Sequence, residues 1–580
     1  MANYANHIGE FSPLRPKHKP QTQKDRKDQV KNSAGGFVYS VDDFQALDRF
    51  LILGSEGGTY YATEKEATIK NAGTVQRLLN SSIESARKVI DRVVEISESG
   101  RAIKNDPAIL VLAMAMSASN PEVRSYAAYM VPKICRTGTH LFTFVDYVNS
   151  LREGWGRSLR RAIGNWYNAQ EPKNLAYQVC KYQSRTKEGS QTWSHVDVLR
   201  KAHVRPATMA HSAVLNYVTK GWSKDQLAGF DHNPLNPFNY LYAHEKAKTA
   251  TSAGEIVELI KQYNLARESI PTKFLNDNLV WSAMLPKMPM TAMIRNLATM
   301  TRNGVVGPLS SNNQVVVDKL LDKDALKSAK VHPITLLNAL KVYQSGSSHQ
   351  TDNLGRIVKS NTWTPVQSIV DALDEAFYLS FDAVEPTGKR ISLNVDCSGS
   401  MSAALSSMPK LRARDVAAAL ALVTAKTEHN YMINGFTSKS MGQWAGYSFP
   451  AGHGSAARPI QELAISPRMR MDSVVKTMEN FPWGGTDCGL PMLDAIDRNL
   501  KVDAFVIITD NETYQGTVKA DEALRRYRAH SGIHDAKLIV LGVTATNFTI
   551  ADVKDRNMFD VVGCDSSAPT LISSFIRGEF

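Results

Sequence analysis

The sequence predicts two architectures in series: an all-α array of helix pairs, then an α/β domain built on an open, doubly wound sheet. Three observations carry this. Apolar residues recur at spacings of three and four from Phe37 to about Ala383, where alternating patterns are scarce. After Glu385-Pro386-Thr387-Gly388 short β-branched runs alternate with helical stretches. The length, 580 residues, exceeds the ~250–300 that one hydrophobic core organises.

The elements follow in order. Residues 1–36 are polar, basic and end in KNSAGG, so a disordered tail is expected there. The helical module is assigned to 37–386, with patterns such as Val75-Leu78-Leu79-Ile83 and Ile256-Ile260-Leu265. Breakers punctuate it at Asn120-Pro121, Pro206, Asn233-Pro234, Ile270-Pro271 and His332-Pro333; Pro333 suits the first turn of a helix running ITLLNALKVY. The run Gly54–Thr59 reads as a turn, because Glu56 repels phosphate and no Lys follows. So many helices cannot share one globule, which favours a stacked array. In 387–580 the strands are ISLNVD (391–396), YMINGF (431–436), AFVIITD (504–510) and KLIVLGVTA (537–545). Helices at Leu411–Thr427, Met471–Met478 and Glu522–Arg528 separate them. Such a rhythm gives a mostly parallel sheet with ligands at the carboxyl ends of its strands.

Composition narrows the function. Apolar residues make up 43% and charged residues 21%, ordinary for a globular protein. The longest apolar runs, Ala108–Ala118 and Val416–Ala425, fall short of the ~18 residues that cross a bilayer. With no apolar signal-peptide core at the start, a cytoplasmic location and no membrane partner are expected. Cys135, Cys180, Cys397, Cys488 and Cys564 are odd in number and form no CxxC pair, so buried free thiols are expected. The net charge of +12 is uneven. Residues 387–580 hold 21 basic and 20 acidic side chains, whereas Leu151–Arg205 alone holds 11 basic and 4 acidic. An excess concentrated in the helical half suits a polyanion, because each neutralised phosphate releases counterions.

The α/β half carries a constellation of oxygen ligands. ISLNVD delivers Asp396 to the sheet edge, and Ser398 and Ser400 follow in a turn that Gly399 permits. AFVIITD delivers Asp510 to the same edge, and the loop Gly484-Gly485-Thr486-Asp487 adds a third hydroxyl. Two carboxylates and three hydroxyls make a hard site for one Mg2+ or Mn2+, with no His or Cys set for zinc. Enzyme signatures are missing. A haloacid-dehalogenase phosphatase needs Asp where Ser398 stands, and the chain has neither GxxxxGK[ST] nor GxSxG. No catalytic residue is assigned, and a binding protein rather than an enzyme is expected.

The order DxSxS, T, D resembles the metal-ion-dependent adhesion site of von Willebrand A domains. That resemblance implies direct ligation by Ser398, Ser400 and Thr486, and ligation through water by Asp396 and Asp510. LDRFLILGSEGGTYYATE (47–64), THLFTFVDYV (139–148), WGRSLRRAIGNWYN (155–168), KGWS (220–223) and MPMTAMIRNLATMT (288–301) closely resemble the TROVE module. KVHPITLLNALKVYQSG (330–346), VEPTGKRISLNVDCSGSM (384–401), GGTDCGLPM (484–492), TDNETYQG (509–516) and NFTIADVKDR (547–556) continue the likeness into the A domain. The order of parts is that of the Ro autoantigen family.

The resemblance implies a HEAT-like helical ring closed by the A domain. It implies binding of small Y-type RNAs on the outer surface and passage of the single-stranded 3′ ends of misfolded RNAs through the hole. It also implies work alongside an exoribonuclease such as polynucleotide phosphorylase, with the protein itself a monomer. Lys181 and Arg185, four apart and so placed on one helix face, fall with His203 where the family meets Y RNA. Lys201 lies in the same basic stretch, with Trp193, His195 and Arg205. Arg157, Arg160 and Arg161 share a face and are placed to line a channel for single strands. Trp155, Trp166 and Tyr167 read as core rather than as stacking platforms. Two other functions stay open: a protein-docking adaptor acting through the metal site, and a metal-dependent ribonuclease.

Overall fold

The computed structural model describes residues 20–54, 64–151, 154–185, 192–351, 357–381, 384–402, 404–405, 408–438, 459–479, 484–544, 546–563 and 565–579. The turn expected at Gly54–Thr59 lies, apart from Gly54, outside the described residues. The chain divides into two compact units, residues 72–380 and residues 1–71 with 381–580.

The first unit is helical. Its helices open on capping side chains: Ser82, Asn120, Thr208, Ser252, Asp277, Asp322 and His332 each accept from a backbone N–H in the first turn. Pro121 and Pro333 sit in first turns, as the sequence indicates. Each apolar stripe is buried, as with Val89, Ile90 and Val93 of helix Ile83–Ser99. Packing is that of a stacked array. Helix Ile83–Ser99 lies against Pro121–Ile134, which lies against Arg157–Ala169; Asp106–Met116 lies against Gly138–Leu151. Asp106–Met116 is apolar nearly all round because neighbours cover it on every side, not because it spans a bilayer. Among the described residues no helix is long and apolar enough to cross a membrane. Residues far apart along the array also meet: Lys330 Nζ donates to the Glu98 carbonyl. Lys330 also packs beside Gly100, where an added Cβ would meet it at 3.3 Å.

The second unit holds a six-stranded sheet ordered Ile460–Glu462, Tyr431–Phe436, Ile391–Asp396, Ala504–Thr509, Lys537–Gly542, Met558–Val562. All neighbours are parallel except the Ile460–Glu462 edge, which runs antiparallel to Tyr431–Phe436. The four strands read from sequence are present, and the two outermost strands complete the sheet. Strand Ala504–Thr509 is buried on both faces. Phe505 and Ile507 join a core with Leu490, Leu493, Leu524, Tyr527, Leu538 and Val540. The strand after Ile391–Asp396 lies on one side of it and Ala504–Thr509 on the other. Their carboxyl ends therefore border a topological switch point, the place such sheets keep their ligands.

The N-terminal segment corrects two expectations. Residues 20–54 are ordered, and they belong with the α/β unit rather than with a helical module starting at 37. Gln29–Lys31 and Phe37–Ser40 form a hairpin whose second strand pairs with Phe548–Thr549. Helix Asp43–Leu53 carries Arg49, 1% exposed, whose guanidinium donates to the Thr546 and Phe548 carbonyls, both at 3.0 Å, and pairs with Asp560. Residues 20–36 are polar because their partners are loops and strand ends, whereas Val38 joins the apolar core of the sheet. Residues 1–19 lie outside the described residues.

Candidate metal centre and nucleic-acid interface

Strand Ile391–Asp396 is hydrogen-bonded to Ala504–Thr509, so Asp396 and Asp510 emerge side by side at the switch point. Both are buried. Asp396 Oδ1 accepts from the Ser398 N–H at 2.9 Å and Oδ2 from the Thr509 hydroxyl at 2.6 Å. Ser398 and Ser400 hold their hydroxyls 3.0 Å apart, and Asp510 Oδ1 accepts from the Glu512 N–H at 3.0 Å. The glycines bring the third loop in. Gly399 N–H donates to the Gly484 carbonyl at 3.2 Å, and a Cβ on Gly484 would sit 2.3 Å from the Thr437 hydroxyl. Thr486 follows, fully buried, with its hydroxyl oxygen lacking a hydrogen-bond partner among the described residues.

This donor set fits a divalent cation. Burial, then the neighbouring Asp510 charge, raises the Asp396 carboxyl above its usual range; burial raises Asp510 as well. Two desolvated carboxylates repel, and a cation between them and the hydroxyls reverses that cost. A partnerless buried hydroxyl costs free energy until something uses its lone pair. Ser398, Ser400, Thr486, Asp396 and Asp510 are the residues that would hold the ion, which would supply a Lewis-acidic point for an anionic partner group. Glu512 was not singled out from the sequence. It is 1% exposed, accepts from the Ala34 N–H at 3.0 Å, and is pushed up to about 7 by burial and by Asp510. Its signal was there, a carboxylate two positions after Asp510 in TDNETYQG.

The basic residues of the helical unit fall into three settings. Arg157, Arg160 and Arg161 stand exposed on helix Arg157–Ala169, whose opposite face buries Leu159, Ala162, Ile163, Trp166 and Tyr167. Trp166 and Tyr167 are core, as expected. The Trp166 Nε1–H donates to the Cys135 carbonyl, and the Tyr167 hydroxyl meets His195 Nδ1 at 2.7 Å. Lys201 is exposed with its Nζ 5.8 Å from the Trp155 ring and 5.9 Å from Trp193. His203 is exposed and ends helix His195–Ala202 in a left-handed conformation, φ 51°. Trp193 and His195 are buried.

Lys181 and Arg185 do not share a helix face. The helix Pro172–Lys181 stops at Lys181, and Arg185 lies in a two-residue strand paired with Trp193. Strand pairing and the Arg185 contacts override helix spacing here: its guanidinium donates to the Thr143 hydroxyl and lies 3.8 Å from Asp106. Lys181 Nζ donates to the Tyr177 hydroxyl at 2.8 Å and sits 5.2 Å and 5.4 Å from the Tyr177 and Tyr182 rings.

Residues 30–348 match the TROVE domain, and residues 390–576 match the Ro60 vWA domain. The chain belongs to the Ro family. Among Ro proteins, the RNA-binding protein RO60 of Deinococcus radiodurans is 36% identical over 98% of both chains. The RNA-binding protein RO60 of Caenorhabditis elegans is 33% identical over 96% of this chain and 92% of its own. The crystal structure of the Deinococcus radiodurans RO (RSR) protein superposes with a TM-score of 0.66 at 35% identity, covering 93% of this chain and 100% of that one. The helical unit is thus a TROVE region and the sheet a vWA domain, as the motifs implied. Residues 30–54 and 64–71, which the TROVE match includes, nevertheless pack with the vWA domain.

Proposed function

We propose that this Ro-family chain is a monomeric cytoplasmic RNA-binding protein. It takes small structured RNAs of the Y type on its exposed basic helices and engages the single-stranded 3′ ends of misfolded RNAs. An exoribonuclease of the polynucleotide phosphorylase kind then degrades what it holds. One observation carries this reading: Arg157, Arg160 and Arg161 stand on one exposed helix face, in a family whose full-length relatives are named RNA-binding proteins. Three guanidiniums in a row meet successive phosphates. Lys201, exposed on helix His195–Ala202, adds to the same charge, and His203, exposed at that helix's cap, offers a hydrogen-bonding ring. Among the described residues Cys135, Cys180, Cys397 and Cys488 are buried and form no disulfide, which suits a reducing compartment.

The partnerless Thr486 hydroxyl favours a second, compatible role: the vWA domain holds Mg2+ or Mn2+ and docks an acidic group of a protein partner. A ribonuclease draws less support. Nuclease sites gather more carboxylates, and among the described residues no three of His, Cys, Asp and Glu cluster as metal ligands. Filter binding with a labelled structured RNA, with and without Mg2+, tests the reading. Retention in both conditions without shortening is expected, and shortening only when an exoribonuclease is added. No retention at moderate salt overturns RNA binding. Shortening by the protein alone, abolished in Asp396→Ala, makes it a nuclease.

A further inference from the structure

A cavity of about 450 Å³ opens between helix Pro172–Lys181, the turn that leads into Asn239, and the end of helix Ala253–Tyr263. The volume lies within the ~300–1,000 Å³ range of small-molecule sites. Tyr177 and Tyr240 line it, their rings edge to face with centroids 5.0 Å apart. Both phenols are committed elsewhere. Tyr240 accepts from the Ala266 N–H at 2.9 Å, and Tyr177 accepts from Lys181. What the tyrosines offer the cavity is aromatic surface.

Its polar lining is rich in amides, Asn174, Asn236, Asn239, Gln262 and Asn264, with Lys173 and His232 beside them. Asn239 donates from Nδ2 to the Asn233 carbonyl at 2.9 Å, which fixes the group and leaves Oδ1 buried with no donor. Asn174, Gln262 and Asn264 line the same cavity, with no side-chain hydrogen bond among the described residues. No carboxylate is among the lining residues. A smaller recess of about 110 Å³ shares Tyr177 and Asn264 with it. That recess carries Lys181, Arg267 and Lys287 against one carboxylate, Glu268.

We propose that the larger cavity receives one unpaired nucleobase of single-stranded RNA, with the adjoining phosphate held in the smaller recess by Lys181 and Arg267. The chemistry selects this ligand. Amides present a donor and an acceptor together, matching the edges of bases, and aromatic surface stacks on them. The stranded Asn239 Oδ1 requires a donor, which an exocyclic amino group or a ring N–H supplies. Cations flank the amides on both sides, Lys173 within the larger cavity and Lys181, Arg267 and Lys287 beyond Tyr177, which matches a neutral base with a backbone phosphate on either side of it. An acidic peptide would leave the amides unused. The proposal rests on the RNA-binding reading and deepens it by naming the unit recognised.

The test uses the full chain, Asn174→Ala combined with Asn264→Gly. Both side chains are exposed, and glycine keeps the left-handed backbone of residue 264, φ 56°. The probes are a short labelled single strand, an abasic strand of the same length, and a hairpin RNA without unpaired ends. Wild type binds the base-bearing strand at least about tenfold more tightly than the abasic one, and the double variant loses roughly that factor on the base-bearing strand alone. Unchanged binding of the base-bearing strand, with the hairpin still bound, overturns the base site and spares the RNA-binding reading. An equal loss on the abasic strand overturns it too, because the amides then serve the backbone. If wild type binds neither strand nor hairpin, the RNA-binding reading fails and takes the base site with it.

Discussion

The Gln21 side chain donates from Nε2 to Asp487 Oδ1 at 2.9 Å, joining residues 466 positions apart. The same nitrogen donates to the Val518 carbonyl at 2.9 Å, and Thr513 donates its hydroxyl to Gln21 Oε1. Gln21 is 1% exposed. Asn32 donates to the Thr513 carbonyl at 2.6 Å, and Gly36 lies so close that a Cβ would fall 1.9 Å from that carbonyl oxygen. The N-terminal strap therefore grips the loop after Asp510 and the residue after Thr486, two of the three loops that build the candidate metal centre.

Replacing Gln21 with Ala removes one buried hydrogen bond each from Asp487, Thr513 and the Val518 carbonyl, at a cost of about 1–3 kcal/mol. Hydrogen exchange is expected to quicken at 484–489 and 510–518 and to stay unchanged in the helical unit. Exchange in those loops equal to wild type would show that the strap does not hold them.

The strap was not legible in the sequence, and the reason is physical. Its order comes from single buried amides meeting a loop nearly five hundred residues away, so it has no local periodicity, and its basic composition reads as a tail. Asp396 and Asp510 were legible because each ends a β-branched run, and a parallel sheet brings such ends to one edge. Arg157, Arg160 and Arg161 were legible from helical spacing alone. Lys181 and Arg185 have the same i, i+4 spacing, yet the helix ends between them. Whether a spacing is helical depends on tertiary pairing, here Arg185 with Trp193, that spacing does not record.

Asp396→Ala removes one of two carboxylates offsetting a divalent charge, leaving neutral hydroxyls and Asp510. Mg2+ and Mn2+ affinity is expected to fall steeply in calorimetric titration, while binding of a structured RNA persists, its cations lying in the helical unit. Wild-type metal affinity in the variant removes Asp396 from the site. Loss of RNA binding with an unchanged circular dichroism spectrum would instead make the metal centre a prerequisite of the RNA surface.

Arg157→Ala, Arg160→Ala and Arg161→Ala together strip one exposed face without touching the core, so stability should change by no more than about 0.5 kcal/mol per site. If the three meet phosphates of single-stranded RNA, the slope of log affinity against log salt flattens by about 0.7 for each phosphate no longer neutralised, roughly two overall. Parallel salt plots for variant and wild type would place the RNA on another face.

Three histidines in the helical unit, His195 and His244 buried and His140 half-buried, have depressed pKa values: His195 at about 3, by desolvation, and His140 and His244 at about 4, by desolvation first and neighbouring cations second. Between these values and the ordinary histidine value near 6.5 the unfolded chain binds protons that the folded chain does not, so stability is complete above pH ~6.5 and drains as pH falls. At pH 5 the loss for His195 alone is about 2 kcal/mol. The thermal midpoint should therefore fall between pH 7 and pH 5. In His195→Gln, which keeps a polar partner beside Tyr167 but cannot titrate in this range, the fall should be smaller even though the variant starts lower at pH 7. The comparison is of pH slopes rather than of midpoints, so a merely destabilising substitution does not reproduce it. Identical slopes in the two proteins would show that His195 is charged inside the fold.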